Sequence, residues 1–110
     1  MDTGKKKRLQ TRGWRVGSVA EFLELSAEEA ALVELRLTLA GAVRRLRKEK
    51  HLTQVQLAGL LGSSQSRVAK VEAAEESVSL DLLIRSFLAM GATTRDLAKV
   101  IEGSPPVHAL

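Results

Sequence analysis

Residues 52–72, LTQVQLAGLLGSSQSRVAKVE, carry the local signals that decide the fold. Thr53 and Gln56 form a T-x-x-Q capping box, an arrangement that starts a helix. Leu57 and the apolar residues that follow recur at helical spacing. Gly62 then allows a left-handed backbone conformation, which ends helices at little steric cost. The stretch therefore begins with a short helix that stops at a sharp turn.

A second helix is predicted directly after this turn. Ser64 is a favourable N-cap residue, so the helix should begin at about Gln65. No glycine follows Glu72, where the sequence continues Ala-Ala-Glu-Glu. Without a glycine to end it, we expect the second helix to continue to about Ala74.

The second helix has two chemically different sides. At about 100° per residue, Val68, Val71 and Glu72 share one side. The opposite side is small, polar and cationic, and consists of Ser66, Ala69, Lys70 and Ala73, with Gln65 at the N-terminal end and Arg67 on the flank. Small residues allow close approach to DNA, glutamine can pair bidentately with adenine, and lysine or arginine can reach guanine or phosphate. Because a helix-turn-helix presents the start of its second helix to base edges, this pattern predicts binding to double-stranded DNA.

The stretch resembles the helix-turn-helix of the Xre/Cro family of phage-repressor-like regulators. The residues that carry the resemblance are Thr53-Gln54, Leu57-Ala58, Gly62, Gln65, Val68 and Glu72. The resemblance covers residues 39–91 and implies an all-α, lambda-repressor-like domain with an N-terminal helical extension. Because one recognition helix reads only a few base pairs, we also expect a homodimer on a palindromic operator.

The resemblance assigns roles to individual residues. It implies that Gln54 contacts phosphate and braces Gln65, and that bases are read by Gln65, Ser66 and Lys70. It also implies an ion pair between Arg47 in the preceding helix and Glu72. The full set of predicted DNA-binding residues is Gln54, Ser64, Gln65, Ser66, Arg67 and Lys70.

Composition favours one helical domain and excludes several kinds of site. The chain has 110 residues, of which 45% are apolar and only 3% aromatic, so the core must be mainly aliphatic. It has no cysteine, which excludes disulfides and zinc-finger spacing, and its two histidines lack a partner pattern, so we expect no metal and no cofactor. Nucleophile–base pairs, catalytic carboxylate pairs and phosphate loops are absent from the sequence, which indicates a protein that is not an enzyme. Neither a signal peptide nor an apolar run of membrane length is present, and we expect a cytoplasmic protein without membrane contact.

Charge is unevenly distributed along the chain. Residues 1–16 have six Lys or Arg and one acid, whereas residues 17–35 have five Glu and no basic residue. Residues 36–70 have eight Lys or Arg and one Glu. Positive charge around the helix-turn-helix favours a polyanionic partner, although a solvated basic face is the alternative reading.

The remaining elements follow from capping signals. We predict a basic arm at 1–17, a single all-helical domain at 18–103 with the helix-turn-helix at 53–74, and a loose tail at 104–110. Within the domain, helices are predicted from Ser18 to Leu25, from Ser26 to about Lys50, from Ser79 to Gly91 and from Thr93 to Gly103. Thr38 and Gly41 weaken the middle of the long segment, so one helix or two are both compatible with it.

The whole chain also resembles small antitoxins of the HigA type. The segments that carry this likeness are FLELSAEE at 22–29, SSQSRVAK at 63–70 and VSLDLL at 78–83. The resemblance implies neutralisation of a toxin protein, a ribonuclease of the RelE fold, and repression of the chain's own operon. A stand-alone repressor or restriction-modification controller is the alternative. A protein-interaction domain without DNA binding is a further one, favoured by the missing glycine and by the acids Glu75 and Glu76.

Overall fold

The computed structural model of the protein describes residues 26–103. The predicted basic arm, the helix predicted from Ser18 to Leu25 and the predicted tail lie outside these residues. The described residues form five helices and no strand, which confirms the predicted all-α class. The helices are α1 (Ala27–Glu49), α2 (Gln54–Leu61), α3 (Gln65–Glu72), α4 (Leu80–Ala89) and α5 (Thr94–Glu102).

The chain divides into two compact units. Of the residues that the structure describes, 26–35 belong to the first unit. In it the backbone N–H of Ser26 donates to the Glu29 carboxylate (3.1 Å), and the N–H of Glu29 donates to the Ser26 hydroxyl (3.2 Å). This reciprocal pair is the predicted capping box at the start of α1.

The second unit, residues 36–103, contains the helix-turn-helix and an aliphatic core. Its most deeply buried side chains come from α1 to α4 and are Leu39, Val43, Leu57, Val68, Val71, Leu83 and Ser86. The buried Ser86 hydroxyl donates to the carbonyl of Leu82 (2.7 Å), so its burial leaves no unsatisfied group. By contrast, α5 has no fully buried residue.

α1 is one helix through Thr38 and Gly41, which settles the choice between one helix and two. A glycine inside a helix costs only about 1 kcal/mol relative to alanine. The residues around it, Leu39, Ala40 and Ala42, are buried. Packing of this side of the helix outweighs the weak local propensity.

The ends of α2 and the start of α3 match the sequence signals. Thr53 and Gln56 make both bonds of a capping box, at 3.1 and 2.8 Å. Gly62 has φ +62°, the left-handed conformation expected of it. The Ser64 hydroxyl accepts from the backbone N–H of Arg67 (3.2 Å) and caps α3.

The end of α3 differs from the prediction. The helix ends at Glu72, and the expectation that it continues to about Ala74 is wrong. Ala74 instead takes φ +53°, and its N–H donates to the carbonyl of Val71 (3.1 Å). The N–H of Glu75 donates to the carbonyl of Lys70 (3.1 Å). These bonds form a Schellman motif, with alanine in the position that glycine usually occupies.

Candidate nucleic-acid interface

The two sides of α3 have opposite environments. Val68 and Val71 are fully buried, so they attach the helix to the core. The opposite side carries Ser66 and Lys70, with Gln65 at the N-terminal end and Arg67 on the flank, and all four residues are exposed. Burial therefore orients α3 so that the predicted base-reading residues face outward, with the half-buried Ala69 between them as a small spacer.

A hydrogen-bond network runs from Gln65, at the start of α3, to Arg47 in α1. The Gln65 amide Nε2 donates to Gln54 Oε1 (2.7 Å). The Gln54 Nε2 in turn donates to Glu72 Oε1 (3.2 Å). Glu72 closes the network by accepting from Arg47, from Nε to Oε2 at 2.5 Å and from Nη2 to Oε1 at 3.0 Å. The structure thus contains the bracing contact between Gln54 and Gln65 and the ion pair that the resemblance implied.

The ion pair is largely removed from solvent. The exposed fraction is 12% for the Arg47 side chain and 5% for that of Glu72. Arg47 also donates from Nη1 to the carbonyl of Leu52 (2.9 Å), just before α2. Arg47 therefore ties α1 to the beginning of α2 and the end of α3 at once.

The pKa values of the pair reflect these contacts. Burial would raise the pKa of Glu72, but hydrogen bonds from Arg47 and Gln54, with the positive charges of Arg47 and Arg44, outweigh it. The pKa of Glu72 consequently lies below its ordinary value of 4.5. The hydrogen bond to Glu72 raises the pKa of Arg47. The pair is therefore fully ionised at neutral pH.

The remaining predicted site residues have two different roles: two serines lie at the start of α3, and two cationic side chains have no partner among residues 26–103. The Ser64 hydroxyl caps α3 and lies 3.2 Å from the hydroxyl of Ser66. The side chains of Arg67 and Lys70 are exposed and pair with no residue of the range 26–103. Both cations are consequently available to phosphate or to base edges.

Arg36 makes hydrogen bonds that the sequence did not predict. Its Nη2 donates to the backbone carbonyls of Glu75 (3.1 Å), Glu76 (3.3 Å) and Val78, in the loop after α3. In the sequence Arg36 counts only as one of many basic residues. No sequence signal could have identified the contact, because its acceptors are carbonyl groups that every residue carries.

A comparison with models of protein families identifies the family of this chain. A family model described as helix-turn-helix matches residues 43–101, more than half of the chain. The chain belongs to the helix-turn-helix family. This helix-turn-helix protein is of the Xre/Cro-like kind and is a DNA-binding transcriptional regulator, which confirms the predicted fold and the broader functional prediction. Searches of curated proteins and of solved structures gave no match.

Two further findings concern the described part of this helix-turn-helix protein. None of the helices within residues 26–103 is both long and apolar enough to cross a membrane. In the same residues, no three His, Cys, Asp or Glu side chains lie close enough together to hold a metal ion.

Proposed function

We propose that this protein is a sequence-specific transcriptional repressor that reads its operator with the exposed side of α3. The observation that carries the proposal is the network from Gln65 to Arg47. It holds the first reading residue of α3 in place through Gln54 and a desolvated ion pair. A reading side chain held in this way loses less conformational freedom on binding, which favours affinity and sequence discrimination.

The proposed contacts follow from position and chemistry. Gln65 and Ser66 lie at the N-terminal end of α3, the part that meets base edges in this motif. Lys70 lies farther along the same exposed side and can reach guanine or phosphate. Arg67, on the flank of α3, contacts the phosphate backbone of the DNA. Gln54, at the start of α2, is placed to contact phosphate while bracing Gln65.

One recognition helix reads only a few base pairs, so we also propose a homodimer on a palindromic operator. Two-fold dimers of this class bind half-sites about one helical turn apart, near 34 Å. Phosphate contacts would make the affinity dependent on salt.

The first test is alanine substitution on the exposed side of α3. Lys70→Ala and Gln65→Ala should each weaken binding to the operator by about 1–3 kcal/mol, because each removes a base contact. Binding is measured by fluorescence anisotropy with DNA from upstream of the protein's own gene.

The control is Arg85→Ala, which removes a positive charge from an exposed position on α4. It should leave the affinity close to that of the parent. If the two α3 variants also bound like the parent, the assignment of α3 as the reading helix would be wrong.

We further propose that the repressor is an antitoxin. The support is its likeness to HigA-type antitoxins in residues 22–29, 63–70 and 78–83. The five Glu and no basic residue of segment 17–35 would complement a basic toxin of the RelE-fold ribonuclease class. Within that segment Glu28 is exposed and Glu34 half-exposed, whereas Glu21 and Glu24 lie outside the described residues.

Co-expression tests the antitoxin proposal. The small open reading frame beside the gene is induced with and without this chain, and growth is followed. Growth arrest that this chain relieves supports the proposal, and joint substitution of Glu21, Glu24, Glu28 and Glu34 by Gln should then weaken toxin binding. A harmless neighbour, or arrest that this chain leaves unchanged, favours a stand-alone repressor or restriction-modification controller.

The exposed acids Glu75 and Glu76 are why the DNA titration must also exclude an alternative, a protein-interaction domain that does not bind DNA. They follow α3 directly and would lie close to the phosphates that flank a bound helix. Salt-dependent binding of the parent protein to its upstream DNA contradicts this alternative.

A further inference from the structure

Two arginines stand at the ends of one column of α1. Arg36, Ala40, Val43 and Arg47 are spaced four, three and four residues apart, so they lie along one side of the helix. Ala40 and Val43, in the middle of the column, are buried. Arg47 binds the side chain of Glu72, the last residue of α3, and Arg36 binds the carbonyls that follow it.

The segment that these arginines hold contains an unfavourable backbone conformation. Ala74 lies in the left-handed region, which costs a residue with a Cβ roughly 1–2 kcal/mol. Such a conformation persists only where surrounding contacts enforce it. The three carbonyl contacts of Arg36 begin at Glu75, the residue immediately after Ala74, and extend to Val78.

The turn at Ala74 is coupled to the reading residues through the backbone. The N–H of Glu75 donates to the carbonyl of Lys70, and the N–H of Ala74 donates to the carbonyl of Val71. If the turn opens, the last turn of α3 loses these bonds. That turn carries Lys70 and also Glu72, on which the network to Gln65 depends.

Arg36 lies outside the part of the chain that matches the family model, which begins at residue 43. Its contacts therefore come from the part of α1 that precedes the family segment. The sequence lacks a glycine cap after Glu72. Contacts from Arg36, which lies 39 positions before Glu75, take its place.

We propose that Arg36 is a positioning residue for DNA recognition, which holds the last turn of α3 through the carbonyls of Glu75, Glu76 and Val78. This inference rests on the proposed function. Arg36 itself does not touch the operator. It acts by keeping Lys70 and Glu72 in a fully formed turn.

The test is Arg36→Met in the full chain. Affinity for the operator should fall roughly tenfold, the size expected from losing one net hydrogen bond to a charged group. The slope of log affinity against log salt concentration should stay unchanged, because no phosphate contact is lost. Amide hydrogen exchange at Ala74 and Glu75, measured by NMR, should become faster.

Three further variants make the result specific. Arg45→Met removes the same charge from an exposed position of the same helix and should leave affinity and exchange unchanged. Arg36→Lys keeps three donors on one nitrogen and should fall between the parent and Arg36→Met. Ala74→Gly added to Arg36→Met should restore part of the affinity, because glycine holds the left-handed turn without help.

The outcomes separate this inference from the proposed function. If Lys70→Ala weakens binding but Arg36→Met changes neither affinity nor exchange, only the positioning role is overturned. A salt slope lowered by about 0.9 in Arg36→Met, where Lys70→Ala leaves the slope unchanged, would mean a direct phosphate contact of Arg36 and would also overturn it. A parent protein that binds no DNA overturns both.

Discussion

Glu72 is the residue on which three parts of the helix-turn-helix depend. It ends α3, accepts two hydrogen bonds from Arg47 of α1 and accepts one from Gln54 of α2. Its side chain is almost entirely buried. Removing one member of such a pair leaves the other charge without a partner, which costs more than the pair itself contributes.

We therefore expect Glu72→Gln to lower the free energy of unfolding by about 2–3 kcal/mol at neutral pH. The folded state lowers the pKa of Glu72, so the stabilisation is complete above the ordinary value of 4.5 and is lost as the pH falls through the lower folded value. Urea unfolding from pH 7 to pH 3 should thus show a shallower loss of stability in the variant.

Glu75→Gln is the matched control, because the Glu75 side chain is exposed and forms no hydrogen bond or ion pair within residues 26–103. It should unfold like the parent at every pH. Equal pH dependence in Glu72→Gln and the parent would show that the ion pair contributes nothing to acid stability.

At the scale of elements, the starts of the helices could be predicted and one end could not. Ser26, Thr53, Ser64, Ser79 and Thr93 each accept from a backbone N–H three residues later, so the signal is contained in a few consecutive residues. The end of α3 depends on Arg36, which is far away in sequence. Local propensity could not indicate that an alanine would replace the usual glycine.

Replacing the glycine within α2 and the glycine that ends it should change the free energy of unfolding in opposite directions. Gly59 lies within α2, on the exposed side of this helix, and a Cβ added there meets no atom within 4 Å. Gly59→Ala should therefore raise the free energy of unfolding by about 0.5–1 kcal/mol. Gly62→Ala should lower it by about 1 kcal/mol, because φ +62° disfavours a side chain.

Both variants are compared with the parent by urea unfolding, and each serves as the control for the other. Equal effects of the two substitutions would mean that backbone conformation at position 62 does not determine where α2 ends.

At the scale of the whole molecule, positive charge and the proposed reading helix α3 lie in the same part of the chain. Residues 36–70 contain eight basic residues and one acidic residue. This charge distribution is visible in the sequence itself, and it indicated the class of partner. The resemblance had already implied that Arg47 pairs with Glu72. The sequence could not show that Arg36 is also occupied, because its partners are loop carbonyls that only the fold brings close to it.

The proposed homodimer on a palindromic operator makes a geometric prediction. Adding five base pairs between half-sites should reduce affinity to that of a single half-site, because half a helical turn places them on opposite faces of the DNA. Adding ten base pairs should restore more of the affinity, provided the dimer can span the distance. Gel-shift titration measures both, and indifference to the five-pair insertion would argue against a rigid dimer.

The network from Gln65 to Glu72 also has a direction. An ionised carboxylate can only accept hydrogen bonds, so Gln54 must turn its amino group toward Glu72 and its carbonyl toward Gln65. Gln65 must then turn its own amino group inward, which leaves its carbonyl oxygen pointing outward. That oxygen favours bases with an exocyclic amino group in the major groove, namely adenine and cytosine. If Gln65 reads a base as proposed, the base preference at one end of α3 is thus partly set by the charge of a carboxylate at the other end.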